Sequence, residues 1–179
     1  GGDAIRRTMS AYIKIAESVL AAAAASITFN SIPGNYRHLR LIIQARGDTA
    51  ATQTSVTLRF NNDATANYDY QYLVGNAASV SAAEGLAQTS ALIGSVAAAN
   101  AAAGIAGSVD CFIQNYSGST FQKTLICLAA RKIGVATTNL VVYNLINFWR
   151  NTAAITRIDL LPSVGNFATG SVFTLYGLQ

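Results

Sequence analysis

Hydrophobic and polar residues alternate with a period of two along much of this chain. From Leu39 to Arg46, Leu39, Leu41, Ile43 and Ala45 fall on one side, and Arg40, Ile42, Gln44 and Arg46 fall on the other. Successive side chains of an extended strand point to opposite faces, so this spacing predicts a half-buried β-strand. Val56, Leu58 and Phe60 repeat the pattern with Thr57 and Arg59 between them, and Tyr68, Tyr70 and Tyr72 alternate before Leu73-Val74. Further strands are expected at Ala11–Leu20, within Ser108–Gln114 and Phe121–Arg131 as a hairpin, along Leu140–Trp149, over Ile155–Leu161, and over Ser171–Leu178. Pro162 stops the penultimate one, because proline has no amide hydrogen to give a ladder.

Turn chemistry punctuates these segments. Ile32-Pro33-Gly34-Asn35 combines a residue with preset φ and two that tolerate positive φ, and Asn61-Asn62-Asp63 is a second turn cluster. The alanine run Ala21–Ala25 is followed at once by the β-type run Ser26-Ile27-Thr28-Phe29, so it reads as a packed connector. Gly75–Gly107 is rich in Ala, Ser and Gly and has little period; a long loop is expected there, with one or two short strands around Ala91–Val96. About nine strands at regular spacing, without a convincing amphipathic helix, predict an all-β fold: an antiparallel, jelly-roll-like β-sandwich. Gly1–Ser10 reads as an N-terminal arm, and residues 11–179 as one sandwich domain.

Composition changes this picture in one respect. Charged residues make up 11% of the 179 positions, against about 25% in an ordinary soluble domain. A sandwich with so few charges exposes much neutral surface and tends to associate, so sister subunits or a larger assembly are expected to cover it. The net charge is +4, from nine arginines and three lysines against eight acids. Apart from Arg6-Arg7 and Arg131-Lys132 the cations are scattered and form no basic run, which argues against nucleic acid as a partner. No apolar run approaches the ~20 residues that span a bilayer, so no membrane insertion is expected.

Candidate chemistry is sparse. His38 is the sole histidine, and no nucleophile motif accompanies it; a strand-end ring with ordinary partners is expected, not a general base. Asn61, Asn62, Asp63 and Asp69 offer oxygens but lack calcium-loop spacing, so no metal site and no cofactor are expected. Asp48, Asp63, Asp69 and Glu84 show no spacing that pairs two carboxylates for hydrolysis. Cys111 and Cys127 are expected to be buried thiols acting as small hydrophobes. The alternative is a bridge across the hairpin whose turn is Asn115–Thr120, which needs Cα atoms within about 7 Å. Tyr68, Tyr70, Tyr72 and Tyr116 are the candidates for a ligand or an interface, since tyrosine joins a large apolar area to a polar tip. Core or subunit packing ranks above ligand contact for them. Trp149 is expected to anchor the core.

Several stretches resemble a family of bacteriophage virion proteins found among tail-fibre and other particle-surface components. They are Phe29-x-x-Ile32-Pro33; Leu39-x-Leu41-x-Ile43-x-Ala45-Arg46; Leu58-Arg59-Phe60-Asn61-Asn62-Asp63 with Asn67-Tyr68-x-Tyr70; Ile113-x-Asn115-Tyr116 with Lys123-Thr124; Trp149-Arg150-Asn151-Thr152-x-Ala154-Ile155-Thr156; and Phe173-Thr174-Leu175-Tyr176-Gly177. The resemblance spans about Ser26 to Leu178 and implies a β-sandwich with a structural role in the virion, assembled in the host cytoplasm. The Ala-rich Ser79–Ile105 departs from the family's usual, more polar middle. A non-enzymatic tail-fibre or tail-tip component is the expectation, working as a homo-oligomer, with a trimer favoured, and with other virion proteins as partners. The alternatives are a capsid decoration protein and a module that recognises host-surface glycan. A polysaccharide hydrolase has only the scattered acids behind it.

Overall fold

The structure, a computed structural model, describes residues 12–132 and 140–179. The expected arm Gly1–Ser10 lies outside the described residues. Twelve strands are present among them: β1 (Ile13–Val19), β2 (Ile27–Phe29), β3 (His38–Ala45), β4 (Gln53–Phe60), β5 (Tyr68–Asn76), β6 (Ser79–Gln88), β7 (Ala91–Ala97), β8 (Gly107–Gln114), β9 (Lys123–Lys132), β10 (Leu140–Trp149), β11 (Ile158–Pro162) and β12 (Val172–Leu178). They form an all-β sandwich of two antiparallel sheets. The larger sheet has the order β1-β12-β3-β8-β9-β10-β5-β6, and the smaller has the order β2-β11-β4-β7. Only β5–β6, β8–β9 and β9–β10 are sequential neighbours within a sheet; the other connections cross between sheets.

The core lies between the sheets, and the period-two positions build it. Leu39, Leu41 and Ile43 of β3 and Val56, Leu58 and Phe60 of β4 belong to one core, joined by Val109, Leu125, Leu145, Ile158, Phe173 and Leu175. Trp149 is buried, as its place at the end of an apolar strand predicts, and its ring lies 5.4 Å from that of Phe60. The sheets approach closely at β7. A Cβ on Gly94 would stand 2.5 Å from Cβ of Ala129, and Gly94 has φ 151°, a conformation that side-chain-bearing residues avoid. Small residues in this stretch therefore serve close packing.

The expectation of a long loop over Gly75–Gly107 is corrected by the structure. β6 pairs with β5 along nearly its whole length, from Asn76↔Ser79 to Tyr68↔Gln88. The two-residue connection is Ala77-Ala78, with Ala77 at φ 50°. Such tight hairpin turns normally announce themselves by Gly or Asn, and here they do not. Nearly every β6 residue is exposed, because the small sheet does not extend beneath it. A strand with no buried face has no hydrophobic alternation to read.

Candidate functional site

The antiparallel register brings Asn61-Asn62-Asp63, Asn67-Tyr68 and residues 149–156 to one end of the sandwich, where they hold one another. Asn61 and Asn62 take positive φ at the end of β4. The Asn61 side chain accepts from the amides of Thr156 and Arg157 and donates to the carbonyl of Ala154. Asp63 closes the next turn. Its Oδ1 accepts from the amide of Thr65 at 2.9 Å and also from the Thr65 hydroxyl, and its Oδ2 accepts from Asn67 Nδ2 at 3.1 Å and Trp149 Nε1 at 2.8 Å. Partial burial pushes this carboxyl up, but the donors from Thr65, Trp149 and Asn67 outweigh it and hold the pKa at about 2. Asp69 pairs with Arg150 at 3.2 Å and accepts from the amide of Ala87. The oxygens of this cluster are thus spent on turns. Among the described residues no group of three His, Cys, Asp or Glu is placed to hold a metal ion.

The four tyrosines do not form one surface. Tyr68 is fully buried; its hydroxyl accepts from the amide of Phe60 at 2.9 Å and donates to the carbonyl of Asp63 at 3.2 Å, and burial pushes its pKa up. Tyr116 is also fully buried, at the far side of the same end, where its hydroxyl donates to the carbonyl of Pro33. Both are core residues, the placement ranked first for them, and neither offers exposed surface to a ligand; alternation put Tyr68 on one strand face with Tyr70 and Tyr72 without saying that this face is the inner one. Tyr70 and Tyr72 stay half-exposed and stack at 6.3 Å. Tyr143 of β10, which the sequence did not single out, continues the row at 6.0 Å from Tyr72. Tyr70 lies across Gly85 of β6, where a Cβ would collide with its ring.

His38 has the ordinary partner expected of it, with Nδ1 accepting from the amide of Asn115 at 3.1 Å. Cys111 and Cys127 sit directly opposite each other on β8 and β9, with Cα atoms 4.1 Å apart, and are joined by a disulfide on the inner face. The primary expectation of two thiols is therefore corrected. The hairpin register places them in apposition, which spacing alone left open.

Other cations are tied to backbone. Buried Lys123 donates to the carbonyls of Gly118, Phe121 and Thr152, and burial lowers its pKa. At the opposite end Arg46 reaches four carbonyls: Ala102 and Ile105 through Nη1, Ala99 and Ala101 through Nη2. Arg46 and Ser171 line an open groove of about 330 Å³ there. Arg46 is already committed to carbonyls, and Ser171 Oγ accepts from the Arg46 amide. Buried Arg131 donates through Nε to Ser95 Oγ at 2.9 Å. Among the described residues none hydrogen-bonds the side-chain amide of Asn147, which is fully buried on the inner face of β10; a buried amide left so costs about 1–3 kcal/mol. No protein-family model matches the chain, and no curated protein matches it.

Proposed function

We propose that this chain is a non-enzymatic structural component of a bacteriophage particle, at the tail fibre, tail tip or another exposed position, built to pack against further protein. One observation carries this reading: the polar side chains of the sandwich ends are consumed by its own backbone, while the outer face of its large sheet is left apolar over β9 and β10. Asn61, Asp63, Lys123 and Arg46 together satisfy turn amides and carbonyls at both ends. Ile126, Leu128, Ile146 and Phe148 meanwhile face outward. A permanent assembly needs rigid modules with apolar contact faces, which is this division of labour. The motif residues that carry the resemblance to virion proteins act here as fold-holding residues, which supports a structural reading. Tyr70, Tyr72 and Tyr143, which keep exposed ring surface, are where host glycan would stack if the component also contacts the cell.

The test is particle association. Phage particles from cells producing the chain, purified on a density gradient, are expected to contain it in fixed stoichiometry, with antibody labelling at one repeated position in electron micrographs. Recovery solely in the soluble fraction overturns the reading.

A further inference from the structure

The outward positions of the large sheet divide into two halves of opposite character. On β3 and β8 they include Arg40, Gln44, Ser108, Asp110 and Gln114, the polar coat expected of a sheet face in water. Arg40 and Asp110 pair there through two bonds of 2.8 and 2.5 Å. On β5, β9 and β10 the outward residues are instead Leu73, Ile126, Leu128, Val142, Ile146 and Phe148, each 41–56% exposed. The register makes them neighbours. Ile126 stands opposite Ile146, and Leu128 and Leu73 flank Asn144 from either side. Phe112 of β8 extends the patch beyond Ile126.

The size of this patch decides what it is for. At those exposures the six side chains present on the order of 600 Å², the upper end of one patch on a soluble monomer and near the ~800 Å² per partner of a standard interface. Its charge decides the partner. Outward positions from Thr124 to Ala130 on β9 and from Leu140 to Phe148 on β10 hold no charged side chain. At its margins stand Arg40 with Asp110 and Asp69 with Arg150, paired within the chain, and further out Lys132 opposite Leu140 and Glu84 opposite Gln71. The centre of the patch gives a charged partner nothing to read. A two-fold contact sets a patch against itself, which repels when the patch is charged and does not when it is neutral.

We infer that a second copy of this chain covers the outer face of β5, β9 and β10, the two sheets packing face to face through Ile126, Leu128, Ile146 and Phe148. Twisted sheets meet in this way at about 10 Å, and Asn144, at the centre of the patch, supplies the amide that can pair with its own symmetry mate. The inference rests on the reading of the chain as an assembling module and specifies which face assembles.

The experiment is the native mass of the full chain by light scattering across a concentration series, for wild type and variants. The wild type is expected at twice the 18.7 kDa chain mass or a higher multiple. Ile146→Lys and the milder pair Ile126→Thr with Ile146→Thr, which keeps β-branched residues in the strands, are expected to dissociate to single chains with an unchanged near-ultraviolet spectrum. Val164→Lys, an exposed apolar residue off this face, is expected to leave the multimer intact. A multimer that survives both patch variants overturns the choice of face and leaves the assembly reading standing. A wild type that stays a single chain at all concentrations overturns self-association; whether it still joins particles then judges the structural role separately.

Discussion

Single side chains in this protein do their work by closing the ends of the sandwich, and Asp63 is the clearest case. It links the Thr65 and Asn67 turn to the buried indole of Trp149. An aspartate in an unfolded chain titrates near 3.9, and in the folded protein Asp63 is held at about 2. A carboxyl whose folded pKa is depressed stabilises the fold above the unfolded pKa and loses that contribution as pH falls through the folded one. The urea midpoint of the wild type is therefore expected to decline between about pH 4 and pH 2. In Asp63→Asn the midpoint is expected to be lower at neutral pH and the decline in this window shallower. Parallel pH profiles for the two proteins would show that Asp63 contributes nothing as a carboxylate.

Among the elements, the segment from β7 to β8 depends on an arginine from β3's end more than on its own sequence. Residues 98–106 are mostly alanine, and their carbonyls converge on the Arg46 guanidinium. A planar fork with five donors can serve four acceptors at once, whereas an ammonium cannot span them. Arg46→Lys is expected to cost about 1–2 kcal/mol and to speed amide exchange at Ala99 and Ile105, with β3 and β8 amides unchanged. Exchange at wild-type rates would mean that the loop holds itself. The β5–β6 hairpin follows the opposite logic: its pairing is backbone to backbone, with the Tyr70 ring over Gly85 and the Asp69 carboxylate on the Ala87 amide as side-chain ties.

For the whole molecule, the Cys111–Cys127 bridge joins two central strands of the large sheet across 16 residues of sequence. Closing a loop of this size removes unfolded-state entropy worth about 3 kcal/mol in the chain-entropy account. Reduction, or the Cys111→Ala/Cys127→Ala pair, is expected to lower stability by about 2–3 kcal/mol while the fold persists, since the buried sheets remain. Two thiols that alkylate in unreduced, unfolded protein, with stability indifferent to reductant, would remove the bridge from the account. Cytoplasm keeps such thiols reduced, whereas particle surfaces outside the cell do not.

The order of polar and apolar residues was enough to specify an antiparallel sandwich, most of its strands, and Trp149 as a core anchor. Period two follows directly from a strand with one face in the core, as in Leu39–Ala45 and Val56–Phe60, and no distant residue is needed to read it. Tertiary structure decided everything that depends on which strands become neighbours. β6 was hidden because neither of its faces is buried. Tyr68 and Tyr116 went to the core while Tyr70 and Tyr72 stayed at its margin, although all four are the same residue type. Cys111 met Cys127 through hairpin register. The apolar run of β10 predicted a strand without saying what would cover it; the folded chain supplies one cover, the small sheet, and leaves Val142, Ile146 and Phe148 of its outer face exposed.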